Sequence, residues 1–118
     1  MKTILVAEDN ESNFILMTYI LKRQYAVLRA KNGQEAVDMA DKGGFDLILM
    51  DIKMPVKDGL AATKEIKEKH PEMPIIALTA NAFDSDRQLA IEAGCDDFLS
   101  KPVSSDRCMA AIAKFIGE

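Results

Sequence analysis

FDLILMDIKMPVKDG, from Phe45 to Gly59, is the stretch of this chain that decides its fold. It opens with an apolar run from Leu47 to Met50 and then breaks, at Asp51, into a charged loop that contains a proline and ends in a glycine. A short apolar run between turn signals is typical of a strand buried on both faces, as in a parallel sheet. An aspartate just past such a strand lies at the carboxyl edge of the sheet, where open α/β folds bind ligands. We therefore expect Asp51 to be the central functional residue.

The chain on either side of this stretch alternates short apolar runs with helical patterns. Strands are predicted at Lys2–Ala7, Tyr25–Ala30, Asp46–Met50, Pro74–Leu78 and Asp96–Leu99. A helix is predicted after each strand, and the inward faces are formed by Phe14, Met17, Thr18 and Leu21; by Ala36, Met39 and Ala40; by Leu60, Thr63 and Ile66; by Leu89, Ala90 and Ala93; and by Met109, Ile112, Ala113 and Ile116. This alternation predicts one α/β domain over residues 1–118, a (βα)5 doubly wound parallel sheet with the flavodoxin-like strand order 2-1-3-4-5.

Polar residues at the predicted helix starts are candidate N-caps, because their side-chain oxygens accept hydrogen bonds from backbone N–H groups that the first turn leaves unsatisfied. The candidates are Asn10 or Ser12 for the first helix, Asp84 or Ser85 for the fourth, and Ser104 or Ser105 for the last.

The composition is that of an ordinary globular protein, with 48% hydrophobic and 29% charged residues in a chain of 118. The net charge of −4 argues against direct binding to nucleic acid and against a polybasic membrane patch. No apolar run approaches the roughly 20 residues that span a bilayer, and the N-terminus is charged too early for a secretory signal. The two cysteines, Cys95 and Cys108, form no CxxC motif and are expected to be reduced packing residues. We therefore expect a cytoplasmic protein that contacts neither nucleic acid nor membrane.

Polar residues follow four of the five predicted strands. Glu8 and Asp9 follow the first strand, Asp51 the third, Thr79 the fourth, and Lys101 comes just after the fifth. In the predicted strand order these four strands are contiguous, so the carboxyl edge of the sheet brings the five side chains into one crevice. Each residue alone has an ordinary interpretation as a loop or surface residue, whereas their joint placement indicates a functional site.

Three crowded carboxylates repel one another, and a hard divalent cation removes that repulsion. Mg²⁺ takes oxygen ligands and prefers one or two carboxylates together with a phosphate, so Asp9 and Asp51 are the predicted ligands, with Mn²⁺ as the alternative ion. Glu8 is expected to act directly or through water. An aspartate beside such an ion can attack phosphorus and form an aspartyl phosphate. Lys101 and the Thr79 hydroxyl would then contact the phosphoryl oxygens.

These residues resemble the receiver domains of two-component response regulators over essentially the whole chain. The matching pieces are Glu8-Asp9 in VAEDN, LILMDIKMPVKDG around Asp51, Thr79-Ala80 in ALTANA, and Lys101-Pro102 in DDFLSKPV. The sequences of the first and last pieces, VAEDN and LSKPV, are most similar to those of free-standing receivers or of receivers from hybrid histidine kinases. Phe98 occupies the position of the family's switch aromatic residue.

The resemblance implies that Asp51 is the phosphoacceptor, which receives the group from a histidine kinase or a histidine phosphotransfer protein. It implies that Glu8, Asp9, Asp51 and the main-chain carbonyl of Lys53 hold Mg²⁺. It also implies that Lys101 contacts the phosphoryl group and precedes a cis peptide bond to Pro102.

The resemblance further implies a switch in which Thr79 moves toward the phosphoryl oxygen and Phe98 rotates into the space vacated. The surface around the fourth helix and fifth strand would then change shape and alter binding to a downstream effector protein. We expect a monomer or a weak phosphorylation-dependent dimer, and a signalling domain with autophosphorylation and autodephosphorylation chemistry rather than a metabolic enzyme. Because the chain ends one helix after Lys101, we expect it to act through protein contacts or to come from a larger protein.

Lys53 and Asn81 flank the expected path of the water that hydrolyses the phosphoryl group, and a cation at position 53 departs from the residue expected there. Lys53 could hold the phosphoryl group or exclude water, and the sequence leaves the lifetime of the phosphate open. The small side chain of Ala80 should allow access to Thr79.

Three other functions fit parts of the pattern. A Mg²⁺-dependent aspartyl-phosphate phosphohydrolase of the haloacid dehalogenase type carries a second aspartate two residues after the nucleophile, where this chain has Lys53. A flavodoxin-like FMN binder needs a Ser-, Thr- and Gly-rich loop after the first strand, where this chain has the acidic segment Glu8–Glu11. A pseudo-receiver that binds partners without phosphorylation would not need the intact set of acids together with Asp51, Thr79 and Lys101.

Overall fold

The computed structural model of the chain describes residues 1–80 and 84–117, with the side chains of residues 84 and 85 excepted. Strands and helices alternate along it as β1 (Thr3–Ala7), α1 (Glu11–Leu21), β2 (Ala26–Ala30), α2 (Gly33–Lys42), β3 (Leu47–Asp51), α3 (Gly59–Lys69), β4 (Ile75–Thr79), α4 (Asp84–Ala93), β5 (Asp97–Ser100) and α5 (Ser105–Ile116). Within this part of the chain, no helix is long and apolar enough to cross a membrane.

The five strands form one parallel sheet in the order β2-β1-β3-β4-β5, which confirms the predicted topology. The register aligns the strand ends, since Ala7 pairs with Met50, Asp51 with Leu78, and Thr79 with Ser100. Asp51 is the last residue of β3 rather than the first residue after it, so the predicted strand is displaced by one position. The predicted site residues nevertheless lie along one edge of the sheet, as the topology requires.

The core lies in two layers, one on each face of the sheet. The central strands β1, β3 and β4 are buried along nearly their whole length, and this is why they read as continuous apolar runs. One layer contains residues of α2, α3 and α4, and the other contains residues of α1 and α5. Cys95 lies in the first layer and Cys108 in the second, and both are buried free thiols, as predicted.

The loop after β1 is closed by an N-cap on α1. The side chain of Asn10 accepts a hydrogen bond from the backbone N–H of Asn13 at 3.0 Å, so Asn10 rather than Ser12 caps the helix. Ser104 caps α5 through the N–H of Arg107. The predicted caps Asp84 and Ser85 are the two residues whose side chains the structure does not describe.

Two of the predicted inward helix positions are wrong. Leu89 is 48% exposed, because α4 packs on the stripe centred on Ala90, which is 1% exposed, and Leu89 lies at the margin of that stripe. Ala113 is exposed, because the buried face of α5 centres on Cys108 and Ile112, and position 113 lies about a third of a turn beyond it. In both helices the apolar pattern was wider than the face that packs.

Candidate functional site

Three acidic side chains converge at the carboxyl edge of the sheet. Glu8 and Asp9 follow β1, Asp51 ends β3, and each offers a carboxylate oxygen such that all three oxygens lie within 4.8 Å of one another. Glu8 is 1% exposed and Asp51 6% exposed, whereas Asp9 lies at the surface. Clustered carboxylate oxygens with one open side fit a hard cation such as Mg²⁺, which takes oxygen ligands and retains several waters.

Lys101 supplies the positive charge that the protein itself brings to the site. Its Nζ lies 3.0 Å from Glu8 Oε1 and 3.3 Å from Asp51 Oδ1, although it is 93 residues from Glu8 in sequence. Burial lowers the pKa of Lys101, but the hydrogen bonds and charges of the two acids outweigh that effect and hold its pKa above the usual value. Lys101 is therefore cationic and already directed at Asp51.

The environment separates the pKa values of the two buried acids. Burial raises the pKa of Asp51 to about 7, and the adjoining Glu8 carboxylate adds to the effect while Lys101 opposes it. Burial also raises the pKa of Glu8, but hydrogen bonds from Asp51 and Lys101 outweigh this, and the pKa of Glu8 lies below its usual value. The two neighbouring acids are therefore shifted in opposite directions, with protonation favoured at Asp51 and ionisation favoured at Glu8.

A cavity of about 290 Å³ opens above Asp51. It is lined by Glu8, Asp9, Asn10, Asn13, Asp51, Ile52, Lys53, Leu78, Thr79, Ala80, Asp86 and Lys101. Carboxylates, the Lys101 ammonium and the Thr79 hydroxyl all line this space, which is large enough for a small anionic group together with water. The chemistry that this arrangement supports is substitution at phosphorus with Asp51 as the nucleophile.

The start of α3 passes directly over the backbone of Asp51. A Cβ at Gly59 would lie 2.1 Å from the carbonyl oxygen of Asp51, so only glycine fits, and the Gly59 N–H donates to the carbonyl of Ile52 at 2.8 Å. In the same loop Val56 adopts φ 67°, a left-handed conformation that is strained for a β-branched residue. The loop between β3 and α3 therefore holds Asp51 at the floor of the cavity through close backbone packing.

Thr79 and Phe98 face the same side of the sheet. Phe98 pairs with Ala77, two residues before Thr79 on β4, and alternate strand residues share a face. The Thr79 hydroxyl lies 3.5 Å from Asp86 Oδ2 on α4, and the Arg87 guanidinium lies 5.3 Å from the Phe98 ring centroid. Both side chains that were predicted to switch are therefore linked to the first turns of α4.

Comparison of the sequence with known protein families decides among the interpretations. The sequence profile of the response regulator receiver domain matches residues 4–113. The chain belongs to this family. As a receiver domain, it carries its acid pair, its central aspartate, its threonine and its lysine at the ends of the strands that the fold requires.

Individual receiver proteins are similar to this chain over nearly its whole length. The polar-differentiation response regulator DivK of Brucella anthropi is 37% identical over 120 aligned positions, which cover 99% of this chain and 98% of DivK. The receiver domain of the sensor histidine kinase PA1611 from Pseudomonas aeruginosa PAO1 is 38% identical with a TM-score of 0.92, covers 99% of this chain and 98% of its own, and has a magnesium ion coordinated in its active site cleft. The receiver domain of the Saccharomyces cerevisiae response regulator Ssk1, solved with the histidine phosphotransfer protein Ypd1, is 32% identical with a TM-score of 0.90, covering 97% of this chain and 88% of that one.

The structure brings most of the predicted site of this receiver domain together. Lys101 is followed by the expected cis peptide bond to Pro102. Lys53 is exposed and lines the cavity, whereas Asn81 lies outside the described residues. Asp86 was not predicted as a site residue, and its signal in the sequence is limited to an acid seven residues after Thr79. Identifying Asp86 required the orientation of α4, which the sequence pattern does not specify.

Proposed function

We propose that this receiver domain accepts a phosphoryl group on Asp51 from a phosphohistidine of a histidine kinase or histidine phosphotransfer protein. The observation that supports this most directly is the position of the Asp51 carboxylate, nearly buried at the floor of the cavity and 3.3 Å from the Lys101 ammonium. An Asp51 oxygen attacks phosphorus, the P–O bond forms, and the P–N bond of the donor breaks as its imidazole leaves with the electron pair. This step requires the ionised carboxylate.

Glu8, Asp9, Asp51 and the main-chain carbonyl of Lys53 would hold Mg²⁺, or Mn²⁺ in its place. When bound there, the ion would supply charge neutralisation for the phosphoryl oxygens and would favour the ionised form of Asp51. Lys101 contacts a phosphoryl oxygen from the opposite side and leaves its present contact with Asp51 Oδ1 to do so. The distribution of acids and lysine around the cavity supports this division of roles.

The switch that we propose uses Thr79 and Phe98. A phosphoryl group on Asp51 offers the Thr79 hydroxyl a stronger acceptor than the carboxylate of Asp86, now at the long distance of 3.5 Å. Movement of Thr79 opens space on the face of the sheet that Phe98 shares, and loss of its contact with Asp86 releases the first turn of α4. The equilibrium between two arrangements of α4 and β5 then shifts, which alters the surface offered to an effector protein or to a second copy.

The surface for the phosphohistidine donor is, in our proposal, the exposed side of α1. Ile15, Leu16 and Tyr19 are 52%, 47% and 68% exposed, an apolar surface beside the mouth of the site. A second cavity of about 320 Å³ lies between Leu16 and the segment Lys101–Val103. The complex of the Ssk1 receiver with Ypd1 supports a donor of the phosphotransfer class. A donor helix against α1 would bring its histidine close to Lys101 and Asp51.

The decisive experiment is intact-protein mass measurement after incubation with acetyl phosphate, with and without Mg²⁺. We expect one added phosphoryl group on the wild-type protein, only when Mg²⁺ is present, and none on Asp51→Asn. The matched control is Asp38→Asn, because Asp38 is an exposed carboxylate on α2 that is remote from the site. A labelled Asp51→Asn variant would assign the acceptor elsewhere. A folded wild-type protein that neither gains the group nor binds beryllofluoride with Mg²⁺ would refute the proposed function.

A further inference from the structure

Arg29, the fourth residue of β2, donates hydrogen bonds to the backbone of the loop that carries Glu8 and Asp9. Its Nε and Nη2 each donate to the carbonyl oxygen of Glu8 at 3.2 Å, and Nη2 also donates to the carbonyl oxygen of Asp9 at 3.4 Å. The remaining Nη1 donates to Glu11 Oε1 at 2.6 Å. One guanidinium thus contacts three residues between the end of β1 and the start of α1, namely Glu8, Asp9 and Glu11.

The guanidinium is itself held in place. Its side chain is 16% exposed, and its central carbon lies 4.6 Å from the centroid of the Phe14 ring on α1. The peptide of Glu8 is held from the other side as well, because its N–H donates to the carbonyl of Ala30 at 3.0 Å. The end of β2 therefore fixes both the N–H and the carbonyl of Glu8. Because the Arg29 guanidinium is planar and packs against the Phe14 ring, it loses little conformational freedom when it makes these hydrogen bonds.

We propose that Arg29 is a positioning residue for the divalent-cation site, which orders the backbone at Glu8 and Asp9 so that their carboxylates lie ready beside Asp51. The inference rests on the proposed function, since it concerns the same cation site. A ligand that is held in place before the ion arrives requires no further ordering on binding, and this preorganisation raises affinity. This preorganisation matters most for Asp9, because its carboxylate is exposed and the direction of its side chain depends on the backbone that bears it.

Positioning and simple electrostatics make opposite predictions for this residue. An arginine near a cation site repels the cation, so removal of its charge should tighten Mg²⁺ binding if charge is all that matters. The repulsion is muted here by Glu11, whose carboxylate faces the guanidinium directly. Toward Glu8 and Asp9, Arg29 donates to the backbone carbonyl oxygens rather than to the carboxylates, so it does not occupy the side-chain oxygens that would bind the ion.

The test is calorimetric titration of the full chain with Mg²⁺ for two variants. Arg29→Lys keeps the positive charge but loses the planar set of N–H donors, and Arg29→Gln loses both. Arg107→Lys is the matched control, because Arg107 is exposed on α5. We expect both Arg29 variants to raise the Kd for Mg²⁺ about 10-fold, the lower end for residues that orient metal ligands, and the control to match the wild type. Faster amide hydrogen exchange at Glu8, whose N–H donates to the carbonyl of Ala30, is the second expected result for Arg29→Lys.

A third readout separates positioning from general damage. The rate of phosphorylation by acetyl phosphate in Arg29→Lys should return to the wild-type rate at saturating Mg²⁺, because only assembly of the site is impaired. Unchanged affinity in Arg29→Lys, tighter binding in Arg29→Gln, or a rate that saturating Mg²⁺ does not restore would each overturn the role of Arg29. Failure of the wild-type protein itself to bind Mg²⁺ would instead refute the proposed function.

Discussion

Replacement of the central aspartate, Asp51→Asn, should stabilise the fold in metal-free buffer at alkaline pH. The reason is that burial raises the pKa of Asp51 from 3.8 to about 7, so the folded protein resists the ionisation that the unfolded chain undergoes freely. The stability that the neutral carboxyl permits is fully present below the unfolded pKa and is lost as the pH rises through the folded pKa. An amide is neutral at every pH and avoids this loss.

The magnitude follows from the size of the pKa shift. A change of about 3 pKa units, at about 1.4 kcal/mol per unit, sets a ceiling of about 4 kcal/mol on the gain above pH 7. Structural relaxation and closer pairing of Glu8 with Lys101 reduce it, and we expect about 1 to 3 kcal/mol, a large fraction of a typical domain's stability. The gain should grow between about pH 4 and about pH 7 and then level off, because the wild-type protein binds more protons folded than unfolded in that window.

Urea unfolding of the wild-type protein, Asp51→Asn and the control Asp38→Asn in EDTA, at several pH values, measures the effect. Asp38→Asn should follow the wild-type dependence on pH. Mg²⁺ at alkaline pH should narrow the gap by stabilising the wild-type protein selectively, since ligands that bind only the folded state add stability. If Asp51→Asn were no more stable than the wild type at pH 8, or if the two free energies of unfolding ran parallel across the range, the argument from burial would be wrong.

Three further substitutions test other parts of the site. Asp9→Asn should weaken Mg²⁺ binding at least several-fold without loss of stability, because Asp9 is exposed, and an unaltered titration would contradict its role as a ligand. Gly59→Ala should destabilise the fold by about 3 kcal/mol or more in urea unfolding, because its Cβ would collide with the Asp51 carbonyl, and near wild-type stability would show that the loop can shift. Val56→Gly should raise the free energy of unfolding by about 1 kcal/mol by relieving a left-handed valine, and a destabilised variant would mean that its backbone is not strained.

The sheet could be predicted from the sequence because its central strands carry an unambiguous signal. β1, β3 and β4 are buried on both faces, so Ile4–Ala7, Leu47–Met50 and Ile75–Leu78 are continuous apolar runs with no competing helical period. The helices on the surface were less certain. Leu89 and Ala113 extend the apolar pattern of α4 and α5 beyond the faces that pack, and only the packing reveals where each face ends.

The candidate site divides in the same way. Glu8, Asp51, Thr79 and Lys101 were predictable together because a parallel sheet directs every strand end to one edge, whatever the side chains do. Asp86 and Arg29 were not, because their roles depend on orientation. Asp86 reaches Thr79 only through the position of α4, and Arg29 lies on an outer strand where its side chain reaches over the end of β1. The topology of the fold predicts where the strands end, whereas contacts between side chains depend on differences in position of about one ångström.

The positions of Lys101 and Arg29 explain how the acid cluster can be tolerated in the folded protein and still be open to a divalent cation. Lys101 touches the carboxylates of Glu8 and Asp51 directly, which lessens their repulsion in the absence of a metal ion. Lys101 contacts two of the three acids, and burial together with the adjoining Glu8 carboxylate still raises the pKa of Asp51 despite this contact. Arg29 is directed at the carbonyl oxygens of the same loop, so it adds order without occupying a ligand oxygen. Because Asp9 is the exposed member of the cluster, we expect a divalent cation to bind on that side of the cavity, where it would stabilise the folded state and favour the ionised form of Asp51.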